Sequence, residues 1–189
     1  DGVLDLSNWD FEKDGIVELK GEWRFVWEEF VDPMPSEAIR EKYQSTIEVP
    51  ASWNTQPHPD KRDEYLPGQG YATYAIEVLL PLGNGGSKLA LESRSQGSSA
   101  RYFVVGTESA SILGKASQGR PGMNKESTVP VRVSTVIHFD RPPADSFQVD
   151  LQISVFLYAR SGTWASPQLG LKDPISQAVF FRFALDIFV

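Results

Sequence analysis

Short segments in which apolar and polar residues alternate dominate the chain. In the segment Glu22-Trp23-Arg24-Phe25-Val26-Trp27, three aromatic side chains recur at every second position and share one face of a strand. Further strands are predicted over residues 16–19, 46–49, 71–80, 88–93, 100–105, 109–113, 131–139 and 147–157. Turn residues separate many of these segments, which is typical of an all-β sandwich or barrel.

Two segments depart from the strand pattern. A short helix is predicted over residues 35–43, with Ser36 as its cap and basic residues in its last turn. Residues 178–189 are strongly apolar but too few to cross a bilayer alone, which takes about 20 residues. They are either a last core strand or helix, or the segment just before a membrane helix. We therefore divide the chain into a sandwich domain, 1–175, and an apolar C-terminal segment, 176–189.

Composition narrows the classes of partner. The 189 residues fit one domain, and the formal net charge of −7 disfavours nucleic acid and anionic lipid headgroups. The sequence has no cysteine, which excludes disulfides, thiolate metal sites and cysteine nucleophiles. No leader-like run opens the sequence at Asp1, so for an exported protein we expect a leader that has been removed.

Little in the sequence indicates catalysis. The two histidines, His58 and His138, are far apart, and neither a Gly-x-Ser-x-Gly turn nor a phosphate-binding loop with a lysine is present. The adjacent Glu28 and Glu29 adjoin a strand end, where we expect them to be solvated. We predict a domain that is not an enzyme and that uses no cofactor. No metal-binding residues are predicted, and a structural calcium stays open because no spacing indicates one.

The order of several short motifs provides a resemblance. The motifs are Gly21-Glu22-Trp23-Arg24-Phe25, Val49-Pro50-Ala51-Ser52-Trp53-Asn54, Gly70-Tyr71-Ala72-Thr73-Tyr74, residues 98–106, and Ser154-Val155-Phe156 followed by Gly162-Thr163-Trp164. This series resembles the galactose-binding-like, sugar-binding jelly-roll domain of β-galactosidase- and β-glucuronidase-type glycoside hydrolases. It looks closer still to the extracytoplasmic sensor domain of bacterial seven-transmembrane receptors with diverse intracellular signalling modules, whose opening is similar to residues 4–11.

The resemblance implies a jelly-roll β-sandwich with one or two short helices. It also implies a periplasmic domain that senses a small-molecule ligand, with a carbohydrate as the expected class, at the bacterial inner membrane. The resemblance implies attachment through a C-terminal region outside this sequence. Two other functions stay open. One is a non-catalytic sugar-binding module of a secreted glycoside hydrolase. The other is a protein–protein interaction module whose partner could be a second copy of the chain, forming a homodimer.

Loops rich in aromatic residues and arginine are the candidate ligand site. An aromatic ring covers the C–H face of a sugar, and Arg or Asn bonds its hydroxyl groups. The predicted ligand-binding residues are Trp53, Asn54, Tyr65, Arg120, Tyr158, Arg160 and Trp164. Because alternate connections of a jelly roll fall at the same end, we expect Trp53, Arg160 and Trp164 to lie within reach of one small ligand.

Overall fold

The computed structural model describes residues 1–43, 45–58, 61, 63–83, 87–96, 98–157 and 162–187, and side chains as far as residue 185 in the last helix. The described strands form two sheets, which confirms the predicted β-sandwich. The first sheet has the spatial order β4 (Ser45–Val49), β3 (Gly21–Trp27), β5 (Gly70–Leu79), β10 (Ser146–Val155), β7 (Ser99–Gly106) and β8 (Ile112–Gln118), with β1 (Val3–Asp5) parallel to β5. The second has the order β2 (Val17–Glu18), β11 (Gln168–Leu171), β6 (Lys88–Ser93) and β9 (Thr135–Asp140).

The core lies between the two sheets and follows the alternation in the sequence. Strands β5 and β10 pair antiparallel over ten residues each, which brings Tyr74 opposite Leu151 at their centre. Trp23 is fully buried on β3, and its indole N–H donates to the Leu19 carbonyl at 3.1 Å. The core therefore accommodates a large aromatic side chain without leaving its polar atom unpaired.

A first helix, α1 (Ser36–Lys42), covers the outer face of the first sheet. Ile39 and Tyr43 pack there with Val31 and Ala75 in a small second core. The prediction that Ser36 caps this helix is wrong, because Pro35 occupies the cap position. The Ser36 hydroxyl donates instead to Gln148 Oε1 at 3.2 Å, which ties the helix to β10.

The apolar C-terminal stretch belongs to a second helix, α2 (Lys172–Ile187), which is longer than the short helices predicted. It packs against β6 and β11, with Ile175 buried over Gly170 and Arg182 paired with Glu92. Four large apolar side chains of this helix do not enter the core, since Phe180, Phe181, Phe183 and Leu185 are exposed. Among the described residues, no helix has the combined length and apolarity that a membrane crossing requires.

One end of the sandwich gathers the loops of interest. In the first sheet, the C-terminal ends of β3 and β10 lie at the same end as the N-terminal ends of β5 and β7. In the second sheet, the C-terminal ends of β2 and β6 lie at the same end as the N-terminal ends of β9 and β11. The short connection from β6 to β7 joins these two ends. The connections that reach this end include the described parts of residues 50–69, 94–98, 119–134 and 156–167. We call it the loop end.

Candidate ligand groove

Two segments far apart in the sequence are joined at the loop end. Ser52 forms an antiparallel bridge with Gly162, Thr163 N–H donates to the Ala51 carbonyl at 3.1 Å, and Ala51 N–H donates to the Thr163 hydroxyl at 3.2 Å. The expectation that Trp164 lies at the same end as Trp53 is therefore confirmed.

The close approach of these segments depends on Gly162. Its φ of +124° lies in a region that other residues rarely adopt, and a Cβ there would fall 2.3 Å from the Ala51 carbonyl oxygen. Only a residue without a side chain fits both conditions. Gly162 thus sets the position from which Thr163 and Trp164 continue.

Trp53 does not contribute a surface for a ligand. It opens a 3₁₀ turn, Trp53–Thr55, and its side chain is fully buried, with its ring 5.0 Å from that of Trp27 and edge-on to it. Its indole N–H donates to the Pro67 carbonyl at 2.9 Å. The structure gives Trp53 the role of a plug at the loop end, because both its ring faces and its polar atom are used by the protein.

Trp164, in contrast, is 50% exposed beside an open groove. The groove has a volume of about 310 Å³ and lies at the loop end of the second sheet. Its described lining residues are Glu18, Lys20, Pro50, Arg94, Trp164, Ala165, Ser166 and Gln168. We call this the Trp164 groove.

The backbone under Trp164 is held by a buried side chain, Gln96. Its Oε1 accepts from the N–H of Trp164 at 2.7 Å and from that of Ala165 at 3.4 Å, and its Nε2 donates to the Ala165 carbonyl at 3.0 Å. The same amide group donates to the Arg94 carbonyl at 3.4 Å. Gln96 therefore fixes the two loops that carry Trp164 and Arg94 to each other.

The charged groups of the groove are two cations and one anion. Lys20 Nζ lies 2.7 Å from Glu18 Oε2, and Gln168 Nε2 donates to Glu18 Oε1 at 3.5 Å. The hydrogen bond from Lys20 is the main cause that lowers the pKa of Glu18, and Arg94 adds a smaller electrostatic attraction. Glu18 is thus held in its ionised form, and the exposed guanidinium of Arg94 has no hydrogen bond to the described residues.

A buried hydroxyl group in the groove wall also lacks a protein partner. Ser166 is 7% exposed, and its Oγ has no hydrogen bond within the described part of the chain. A buried hydroxyl without a partner costs free energy, on the order of 1–3 kcal/mol. A ligand or water that reaches this wall of the groove would recover part of that cost.

The other predicted ligand residues within the described part of the chain do not line the Trp164 groove. Asn54 is partly buried, and its Oδ1 accepts from the Ser52 hydroxyl. Tyr65 is 67% exposed and pairs through its backbone with Pro57. Arg120 is exposed and pairs with Val129 across a bridge. Tyr158 and Arg160 lie outside the described residues, so their predicted contacts stay predictions.

A second cavity, of about 510 Å³, lies on the first sheet. Its described lining residues are Phe25, Val26, Trp27, Lys42, Ser45, Thr46, Gln56 and Pro57. The Lys42 ammonium at its edge is paired with Glu29 at 2.5 Å, and the indole nitrogen of Trp27 is buried without a partner in the described chain. No residue predicted from the sequence as a ligand contact lines this cavity among those described.

Sequence reasoning missed most of the groove. Glu18, Lys20, Arg94, Ser166 and Gln168 come from three separate stretches and only Trp164 was singled out among the groove residues. A local signal did exist in Arg94-Ser95-Gln96, a polar run that directly follows the buried strand β6 at the loop end. Binding residues often lie in loops that a rigid scaffold holds in place, and a polar run directly after a buried strand is such a loop.

Comparison with known proteins adds the class of fold. No family model and no curated protein matches the sequence. Among solved structures, the chain is similar to a putative β-galactosidase from Bacteroides fragilis, with a TM-score of 0.50 and 13% identity over 82% of this chain and 22% of that one. It is also similar to a Faecalibacterium prausnitzii β-glucuronidase, with a TM-score of 0.50 and 15% identity over 82% of this chain and 31% of that one.

These likenesses establish the fold alone. The chain is a β-sandwich with the same fold as part of each of these two proteins, and it spans less than a third of the length of either. The same fold carries many functions, so the function of this chain must be argued from its own groove.

Proposed function

We propose that this chain is the carbohydrate-binding sensor domain of a bacterial membrane receptor and that the Trp164 groove is its binding site. The observation that carries the proposal is a half-exposed indole beside a groove whose other side chains are mostly polar. An indole ring can cover the C–H face of a pyranose, while Gln168, Ser166 and Arg94 can bond its hydroxyl groups.

The receptor part of the proposal rests on α2. Its exposed Phe180, Phe181 and Phe183 are unusual on a helix of a soluble domain and suit a segment that meets a membrane or another apolar partner. Attachment at this end would hold the sandwich at the membrane surface, and the resemblance to extracytoplasmic sensor domains favours the periplasmic face of the inner membrane. The resemblance in the order of the motifs supports the same arrangement.

The groove and α2 are also joined by a row of polar side chains. Across the second sheet, Glu18 stands opposite Gln168, and Gln168 stands opposite Glu92. Glu92 is fully buried, and both terminal nitrogens of the Arg182 guanidinium group on α2 donate to its carboxylate. A ligand that displaces Gln168 would therefore move the neighbour of Glu92, the residue that binds α2 through Arg182. Such a path from the groove to α2 suits a sensor.

The domain acts without catalysis in this proposal. Glycoside hydrolysis requires two carboxyl groups on either side of the scissile bond. Among the described residues that line the groove, Glu18 is the one carboxylate, and it is paired with Lys20. The groove therefore suits binding better than hydrolysis.

A second function is favoured by the identity of the structural neighbours. Both are glycoside hydrolases of which a domain like this one makes up less than a third, so a non-catalytic sugar-binding module of such an enzyme would have the same fold. The complete gene separates the two functions: apolar segments of about 20 residues after this domain support the receptor. A downstream barrel with paired glutamates would instead support the enzyme module.

The binding proposal is tested by a glycan array probed with the 189-residue chain and two variants. Trp164→Ala removes the ring beside the groove. Tyr65→Ala is the matched control because Tyr65 is also an exposed aromatic residue but is not among the groove residues described. We expect Trp164→Ala to abolish glycan capture and Tyr65→Ala to retain it. Capture that depends on Tyr65 and not on Trp164 would refute the groove as the site.

A further inference from the structure

The charge of the Trp164 groove differs in sign from that of the whole chain. The chain carries a formal charge of −7, yet the described charged groups that line the groove are Lys20 and Arg94 against the single Glu18. The nearest further carboxylate in the cross-strand row, Glu92, is fully buried and neutralised by Arg182. The groove is thus a locally cationic site on an acidic protein.

The two cations are not equivalent. Lys20 already has a partner in Glu18 at 2.7 Å. Arg94 is exposed, attracts Glu18 only through space, and makes no side-chain hydrogen bond to the described residues. A guanidinium that no described residue engages presents a planar pair of donors, and the group that matches this geometry best is a carboxylate.

The loop that carries this guanidinium is held rigidly beside the indole. Gln96 bonds the Arg94 carbonyl on one side and the backbone of Trp164 and Ala165 on the other. The Gln118 amide also donates to the Arg94 carbonyl, at 3.2 Å. Because the backbone of Arg94 and that of Trp164 are fixed to each other, the guanidinium and the indole start from neighbouring positions and can recognise the carboxylate and the ring of one sugar together.

We propose that the Trp164 groove selects acidic carbohydrates and that Arg94 binds the carboxylate of a uronic acid residue whose ring contacts Trp164. The assignment rests on the proposed carbohydrate-binding function and adds the ligand class and the residue that determines it. Lys20 supports the anion, and Glu18 opposes it. Ser166 and Gln168 are left to bond hydroxyl groups of the sugar.

The test compares sugars that differ in charge and little in shape. The probes are tetramers of galacturonate, glucuronate and mannuronate, each beside its fully methyl-esterified form, which keeps the ring and removes the charge. Calorimetric titration of the 189-residue chain should show that at least one acid binds. The dissociation constant of its ester should be at least about tenfold higher, which corresponds to about 1.4 kcal/mol of binding free energy. Because the groove is open to solvent, raising the salt from 0.05 to 0.5 M should weaken binding of the acid but not of the ester.

Three variants test whether Arg94 and Glu18 determine the preference for the acid over the ester. Arg94→Gln should abolish the preference for the acid, Arg94→Lys should restore part of it, and Glu18→Gln should strengthen binding of the acid because a repelling charge is removed. An ester bound as tightly as its acid, or a preference that survives Arg94→Gln, overturns the acidic-sugar assignment and leaves the proposed function standing. If neither these probes nor neutral glycans on the array bind in a manner that depends on Trp164, the proposed function itself fails.

Discussion

Trp53 and Trp164 are neighbours in space, but their surroundings are opposite. The Ser52–Gly162 bridge joins the segments that carry them, yet Trp53 is fully buried and Trp164 is 50% exposed. The indole N–H of Trp53 is bonded to a backbone carbonyl within the same loop, whereas Trp164 is held through its backbone by Gln96. The pair shows that one loop can seal the end of a sandwich while its neighbour presents a surface for binding.

The largest expected effect is on stability at Trp53. Replacing Trp53 by Ala removes a fully buried ring in contact with Trp27, and large-to-small changes of this kind cost about 3–5 kcal/mol of unfolding free energy. Urea denaturation of both proteins measures the loss. A loss below about 1 kcal/mol would contradict the role of Trp53 as a plug.

The same contrast between buried and exposed groups holds for two carboxylates. Glu18 in the groove has a lowered pKa, whereas burial raises the pKa of Asp150 to about 7. Gln148 donates a hydrogen bond to one carboxyl oxygen of Asp150, and the other oxygen has no partner in the described chain. The folded protein therefore holds a proton on Asp150 at pH values where the unfolded chain, with an ordinary pKa near 4, has released it.

Stability should consequently fall as the pH rises between about 4 and 7. From pH 5 to pH 8 we expect Asp150 to account for a loss of about 2–3 kcal/mol of unfolding free energy, since the unfolded state binds fewer protons. Denaturation at both pH values should show this loss in the wild-type chain and a much smaller one in Asp150→Asn. An equal loss in the variant would show that another group is responsible.

A smaller loss of unfolding free energy is expected at Gly162, where the two loops meet. Alanine at this position adds a strained φ and a contact with the Ala51 carbonyl, and we expect a destabilisation of roughly 1–3 kcal/mol. Gly15→Ala is the matched control, since Gly15 also has a positive φ but its Cβ would meet no atom within 4 Å. Equal losses measured by denaturation would mean that backbone strain alone matters and that the contact with Ala51 does not.

The smallest expected effect on stability is that of Trp164→Ala. Because the ring is half exposed and its loop is fixed through backbone atoms, the unfolding free energy should change by no more than about 0.5 kcal/mol. Thermal denaturation beside Trp53→Ala makes the comparison directly. A large loss in both variants would show that the two indoles play the same structural part.

The sequence predicted most of the strands because their information is local, but β8 lies largely outside the predicted 109–113, and no strand was predicted at β1 or β11. The alternation around Trp23 and the long apolar run of β5 each reflect the face that a single strand buries, so period two is sufficient to find them. The order of short motifs also led to the right fold. Ser36 was misassigned because its partner, Gln148, lies on a distant strand, and the sequence alone does not show that pairing.

The site was harder to predict, for the same physical reason. Trp53 follows a strand and precedes a polar loop, a pattern that fits an exposed aromatic residue as well as a plug, and only its contact with Trp27 decides between them. The Trp164 groove combines residues near positions 18, 94 and 166, which the fold brings together through β2, β11 and β6. The spacing of residues along the sequence does not show that these three stretches lie together in the folded chain.

The most direct test of the central claim follows the five indole N–H signals of the chain by NMR while a captured glycan is added. The signal assigned to Trp164 by its loss in Trp164→Phe should shift in a saturable manner with the sugar concentration. The signals of the buried Trp23 and Trp53 should stay where they are, because their N–H groups donate to Leu19 and Pro67 inside the protein. A saturable shift of the Trp27 or Trp53 signal with none for Trp164 would contradict the account and place the sugar elsewhere.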